Sequence, residues 1–490
     1  MPSPATDPKA HPSRRPNLVV VMADQLRRCS ISFGGESLVQ TPTLDAFAAE
    51  GADFTNAVSN TPLCSPFRGS LLTGRYAHCH GVIANDLRLP NDAVTFGEVL
   101  KREGYNTGYV GKWHLSGPQQ GQYEPPGPGR HGFDYWSAYE FNHDHNRTIY
   151  YEDAPEPICP DGYQMDSETD RAIRFIERQG GETPFGLFLS WGPPHPPYEP
   201  WNMPSEYLRP YGTVEELQPG EASGAWQRWQ RPLRFTPRTL TPARPNATGG
   251  WDNMAAAYYA MTDWLDACFG RVLAALERAG HAGNTIVVFT SDHGEMLGSH
   301  NTRGKMIFYE ESVRIPLLVR WPGHIAPRTT CDACISSVDF LPTLLGLLGI
   351  DCPPGVQGTD LSHLALGRPG PEPSGAIIAS YTGYSGFNPG WEYRGVRTKR
   401  YTYARSLVQL QRGYTGWQPG DSYCCEPEHS LFDNLADPYQ LENLADSREH
   451  GEVREELEAQ LVAYLRATND QFLPAPEYSA LCGLSREASP

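Results

Sequence analysis

Five short apolar runs, at residues 17–22, 105–110, 184–190, 285–290 and 315–321, alternate with helix-patterned stretches at 43–50, 95–103, 166–179, 253–279 and 338–349. Few folds accept such a chain. The runs are too short for helices and lack the polar alternation of half-exposed strands, so they read as strands buried on both faces. Strands separated by helices build βαβ units, which predicts an α/β fold with a large, mostly parallel sheet sandwiched by helices. After about residue 370 the texture changes. Residues 391–404 alternate like a half-exposed antiparallel strand and 448–468 read as one amphipathic helix. A smaller C-terminal α+β domain carrying an antiparallel sheet follows. The expected boundaries are a main domain at 15–370 and a subdomain at 371–475, with flexible tails at 1–14 and 476–490. The Pro-, Trp- and Arg-rich stretch 202–250 reads as a long surface excursion.

The length of 490 residues exceeds one typical core, which agrees with two unequal domains. No window holds the ~18 apolar residues a spanning helix needs, so no membrane association is expected. The polar, Pro-rich N-terminus does not resemble a signal peptide, and cytoplasmic residence is the expectation. A net charge of -17 argues against nucleic acid or an anionic membrane as partner, so any positive charge for an anionic substrate must be concentrated locally. Eleven scattered cysteines fit reduced thiols, and the pair Cys331/Cys334 lacks a second pair at zinc spacing.

Polar residues cluster just past the apolar runs. The first run leads into Asp24-Gln25, the second into Lys112-Trp-His114, the third into His195 and the fourth into Asp292-His293. Ligands of open α/β sheets bind outside the carboxyl ends of the strands, so these residues are expected to share one edge. Asp24, Asp292 and the amide of Gln25 are hard oxygen donors of the kind Ca2+ or Mg2+ prefers, and His293 adds a nitrogen. Lys112, His114 and His195 suit anion binding and proton transfer, and Lys305 follows in a Gly-bearing polar loop.

The stretch TPLCSPFRGSLLTGR, residues 61–75, sets Cys64 in a turn that reads as solvent-near, with a helix expected just after it and Arg68 one turn in. The N–H groups and positive end of that helix would face an anion at residue 64.

These motifs resemble the type I sulfatase family of the alkaline phosphatase superfamily. Cys64-Ser65-Pro66-Phe67-Arg68 fits its C-x-P-x-R signature, continued by Leu72-Thr73-Gly74-Arg75. Gly111-Lys112-Trp113-His114-Leu115 and Ser291-Asp292-His293-Gly294 look like family motifs in family order, and 431–445 resembles the C-terminal hallmark. The resemblance runs from about residue 15 to 468. It implies that Cys64 is oxidised by a formylglycine-generating enzyme that reads Pro66 and Arg68, and that the aldehyde hydrate presents two geminal hydroxyls. By the same resemblance Asp24, Gln25, Asp292, His293 and residue 64 hold Ca2+, with Asp292 as base for the attacking hydroxyl. Arg68, Lys112, His195 and Lys305 bind sulfate oxygens, His195 with Lys305 protonates the leaving alcohol, and His114 deprotonates the second hydroxyl to release sulfate.

Gln25 and His293 stand where many members carry Asp and Asn. The Asp-His pair is shared with phosphonate monoester hydrolases and phosphodiesterases of the superfamily, which form the alternative reading; Lys112-x-His114 favours a sulfatase. A silent relative that only binds sulfated glycans is disfavoured, since no expected catalytic residue is missing. Residues 131–136 and 139–145 read as an aromatic, His/Asp-rich loop, either packed on the surface or lining a sugar pocket with His143, Asp144 and His145. A sulfated saccharide or small sulfate ester is the expected substrate.

Overall fold

The computed structural model describes residues 15–117, 123–211, 251–301, 303–381, 392–406 and 428–472. The main sheet has eight strands in the spatial order β4 (Tyr135–Tyr139), β3 (Asn106–Lys112), β5 (Phe185–Ser190), β1 (Asn17–Ala23), β6 (Thr285–Ser291), β7 (Leu317–Arg320), β2 (Ala52–Val58) and β8 (Thr329–Ser336). Every pairing is parallel except those of β7, which runs antiparallel to both β6 and β2.

The apolar runs feed two cores at once. Leu18, Val20 and Met22 of β1 face one cluster while Val19 and Val21 face the other. Helices α1 (Pro42–Ala49), α5 (Gln164–Glu177) and α7 (Trp251–Arg278) cover the second of these faces. Helices α2 (Cys64–Thr73), α4 (Phe96–Arg102) and α9 (Ser337–Leu348) cover the first. Capping boxes start two of them, Thr95 with Glu98 for α4 and Ser336 with Asp339 for α9. Single-turn helices α3 (Ala77–His80), α6 (Ser205–Leu208), α8 (Glu310–Val313) and α10 (Ser362–Ala365) join the layers. No helix among the described residues is long and apolar enough to cross a membrane.

The second sheet is antiparallel, in the order β12 (His429–Asp433), β11 (Tyr401–Ser406), β10 (Glu392–Arg397) and β9 (Ala376–Tyr381). Helix α11 (Gly451–Thr468) seals one face through Leu457, Leu461 and Tyr464. On the other face Ile378, Tyr393 and Phe432 pack with Val58, Met296 and Phe308. Arg394, fully buried, pairs with Asp470 just past α11 at 2.6 Å.

Strands β2, β4 and β8 carry alternating or interrupted polarity and were not among the five apolar runs. Residues 131–136 are not a pocket loop: they lead into β4, and Phe133 just before it and Trp136 within it are core residues. Cys331 and Cys334 both lie in β8, and they pack into different clusters, one per face of the strand. Residues 212–250, residue 391 and both tails lie outside the described residues.

Candidate active site

Helix α2 begins at Cys64 itself rather than beyond the Cys-Ser-Pro turn, with Leu63 as a cap that offers no side-chain acceptor. The Ser65 N–H instead donates to Asn85 Oδ1 at 3.1 Å, and the Ser65 hydroxyl donates to the His114 carbonyl at 2.7 Å. Every residue of α2 is buried, and Gly74 ends it in the left-handed conformation (φ 64°). Cys64 is therefore not near solvent as its turn-like sequence suggested; its relative exposure is 0%. The helix lies against the carboxyl edge of the main sheet, which places residue 64 among the strand ends.

Asp24, Cys64, Asp292 and His293 converge there, with one donor atom from each lying within 4.8 Å of the others. Cys64 Sγ is 3.3 Å from His293 Nε2 and 3.7 Å from Asp24 Oδ1. His293 Nδ1–H donates to the Gly294 carbonyl at 3.0 Å, which leaves the Nε2 lone pair facing the cluster. Burial pushes this imidazole down to about 4, against the pull of Asp292, so it is neutral near pH 7.

Arg68 gathers the strand ends. Its guanidinium donates to the Lys112 carbonyl at 2.7 Å at the end of β3 and to Ser190 Oγ at 2.6 Å at the end of β5, and it stands 3.5 Å from both Asp24 and Asp292. Lys112 Nζ is 2.5 Å from Asp24 Oδ2 and rests over the Phe141 ring. Burial alone would raise the Asp24 carboxyl, but Lys112, His195, Arg68 and His293 outweigh it and hold Asp24 well below the usual range. Three cations, Arg68, Lys112 and Lys305, surround two carboxylates, so the edge suits an anion.

Gln25 and His114 both sit in the left-handed region, at φ 72° and 56°, immediately past β1 and β3. Non-glycine residues hold that conformation only where the surroundings fix it, and here it turns the backbone sharply at both strand ends. The Gln25 N–H donates to Asp292 Oδ1 at 2.9 Å, while its side-chain amide bridges Glu295 and Lys305. His114 is buried beside Phe141, its Nε2 3.5 Å from Asp86.

Lys305 Nζ donates to His195 Nε2 at 3.0 Å, and His195 Nδ1–H donates to the Pro196 carbonyl at 2.8 Å. His143 stacks on His195 with ring centroids 3.8 Å apart and planes 8° from parallel. Burial, His143 and Lys305 together hold His195 well below the usual histidine range. Asp144 caps its own turn by accepting from the Asn146 N–H, and His145 is fully buried with both ring nitrogens engaged within the protein. Of the three residues expected to meet substrate, His143 stacks on the His195 ring and His145 reaches the His195 backbone carbonyl, while Asp144 contacts neither.

Ser190 and Glu295 were missed in the sequence, and Phe141 was included only as part of the aromatic loop 139–145. Glu295 was within reach, three residues after Asp292, and Ser190 closes the third apolar run.

A mostly parallel sheet whose carboxyl edge holds a helix-terminal cysteine, paired carboxylates and clamping cations defines a hydrolase of anionic esters. The sulfatase family model matches residues 16–350, and the C-terminal model of N-sulphoglucosamine sulphohydrolase matches 298–467. The chain belongs to the sulfatase family and is a sulfuric ester hydrolase. It is similar to an ulvan-active sulfatase of Formosa agariphila, 37% identical over 94% of this chain and 82% of the relative. An endo-4-O-sulfatase of Bacteroides thetaiotaomicron is 30% identical over 94% of each chain. A solved structure of a protein in complex with its substrate, D-glucosamine-2-N,6-O-disulfate, superposes with a TM-score of 0.75 at 26% identity, covering 94% of this chain and 99% of that one.

Proposed function

We propose that this sulfatase hydrolyses a sulfate monoester of a carbohydrate, using a formylglycine derived from Cys64 and a bound Ca2+. The observation that carries the reading is the convergence of Asp24, Asp292 and His293 on the side chain of residue 64. The donor set fits a hard divalent cation. Two carboxylates and a bare imidazole nitrogen face one point, and oxidation would replace the soft Cys64 sulfur with oxygen. Asp24, Asp292, His293 and residue 64 would hold the ion, with the second lone pair of Gln25 Oε1 available to it. When bound, the ion supplies Lewis-acid polarisation of a sulfate oxygen and eases ionisation of the residue-64 hydroxyl. Hydrated formylglycine supplies an oxygen nucleophile together with a second hydroxyl whose loss of a proton expels sulfate.

The chain's own residues divide the remaining tasks. Asp292 takes the proton of the attacking hydroxyl. Arg68 and Lys112, both buried, bind sulfate oxygens as charge shifts toward the leaving group. Lys305 donates to His195 Nε2, and this pair would supply the proton that the leaving oxygen takes up. His114 accepts the proton of the second hydroxyl. Since Cys64, Pro66 and Arg68 are all buried, a formylglycine-generating enzyme would read them before this part of the chain closes.

The sugar disulfate bound as substrate in the structural neighbour supports a sulfated saccharide. Sulfate release from a panel of sulfated mono- and oligosaccharides tests the reading. A sugar sulfate is expected to exceed 4-nitrophenyl sulfate in kcat/KM by at least about tenfold. A phosphonate monoester or phosphate diester turned over faster than every sulfate ester would contradict it.

A further inference from the structure

The His195 imidazole is not held by its own loop alone. His145 Nε2–H donates to the His195 carbonyl at 2.9 Å, from a side chain with 0% exposure. The carbonyl can only accept, so Nε2 carries the proton and neutral Nδ1 is an acceptor. The Gln164 amide terminus stands 2.5 Å from Nδ1. An acceptor at Nδ1 requires an amide N–H, so the Gln164 amide is set with its nitrogen on His145 and its oxygen toward Glu168, whose carboxyl burial pushes well above its ordinary range. Burial keeps His145 below the ordinary histidine range, which agrees with a neutral ring.

Asn202, also fully buried, completes the frame. Its Oδ1 accepts from the His145 N–H at 2.6 Å, while Nδ2 donates to the Pro197 carbonyl at 2.9 Å and the His143 carbonyl at 3.1 Å. One side chain thus ties the loop past β4 to the loop past β5. Gly192 makes the fit possible, for a Cβ there would come within 2.9 Å of the Gln164 amide.

Resting on the assignment of His195 as proton donor, we propose that Gln164, His145 and Asn202 form a buried positioning relay that sets the His195 ring, stacked under His143, at the leaving oxygen. These are positioning residues, since none of them faces the cluster around residue 64. The relay fixes the His195 backbone on one side and the His143 backbone on the other. The two stacked rings therefore keep their register when Lys305 moves its hydrogen bond from His195 to substrate.

The test separates protonation from general damage by leaving group. Phenyl sulfate needs a proton on departure, whereas 4-nitrophenolate leaves without one. In formylglycine-bearing enzyme, His145→Leu is expected to lower kcat on phenyl sulfate by about 100-fold and on 4-nitrophenyl sulfate by less than about threefold. His145→Gln, which restores an N–H to the His195 carbonyl, should recover most of the loss. Gln164→Met keeps the volume of the site and should show the same imbalance in smaller measure if His145→Leu does not fold. Run alongside, His195→Ala should be steeper than either. Equal losses on both esters in the His145 and Gln164 variants, with His195→Ala steep, would overturn the relay alone. A flat His195→Ala would overturn the proton-donor assignment and the relay with it.

Discussion

The Lys112 ammonium stands 2.5 Å from Asp24 Oδ2, and neither side chain has any exposed surface. The pair links the end of β3 to the residue just past β1, behind residue 64. Removing one partner leaves the other charged in a low dielectric, at a cost of about 3–5 kcal/mol. Lys112→Met should therefore lose roughly 3 kcal/mol in denaturant unfolding without metal. Asp24→Asn in the same chain should recover most of that stability and none of the activity. A double variant no more stable than Lys112→Met would show that the pair is not coupled.

Calcium should stabilise the folded protein through Asp24, Asp292 and His293. At a free concentration of 100 times Kd the expected gain is about 2.7 kcal/mol, read as a rise in Tm over enzyme treated with chelator. Asp292→Asn and His293→Ala should each remove most of that rise. A chelator that changes neither Tm nor turnover would contradict the cation.

Glu140 gives the acid range a distinct signature. Burial pushes this carboxyl from 4.5 up to about 7, although the Ser116 N–H donates to it at 3.1 Å. Between those values the folded chain keeps a proton that the unfolded chain has lost, so stability falls as pH rises through the window. The whole effect is on the order of 3 kcal/mol. Glu140→Gln should flatten the fall in Tm between about pH 5 and pH 7.5. An unchanged slope would place the proton elsewhere.

His80 acts in the opposite direction. Its ring packs on Gly69 of α2, where a Cβ would come within 2.5 Å of it, and burial pushes it down to about 3. The unfolded chain takes up this proton first, so stability drops as pH falls from 6.5 toward 3. His80→Gln should lessen acid unfolding measured by circular dichroism, and an unaltered acid midpoint would refute the assignment.

Much of this architecture could be read from the apolar runs. Strands β1, β3, β5 and β6 are buried on both faces, and an unbroken apolar string is what such burial requires. Strands β2 and β8 escaped because Asp53, Thr55 and Asp332 interrupt the string where the sheet meets solvent. The aromatic segment leading into β4 was read as a loop, packed on the surface or lining a sugar pocket, yet Phe133 and Trp136 fill a core. Asp24, Lys112, His195 and Asp292 were legible as polar residues at strand ends, whereas Lys305, 110 positions from His195, was assigned a role only through the family motif. Of the frame behind His195 only His145 drew notice, as a substrate contact, because Gln164 and Asn202 look like ordinary surface polar residues until the fold buries them.

The most direct test of the account is the mass of the tryptic peptide 29–68 from active enzyme, with sulfate release measured on the same preparation. The expected peptide is about 18 Da lighter than the cysteine form, with turnover that tracks its fraction. Cys64→Ala should be folded and inactive. Full turnover from protein whose peptide carries only the thiol would contradict the formylglycine at residue 64.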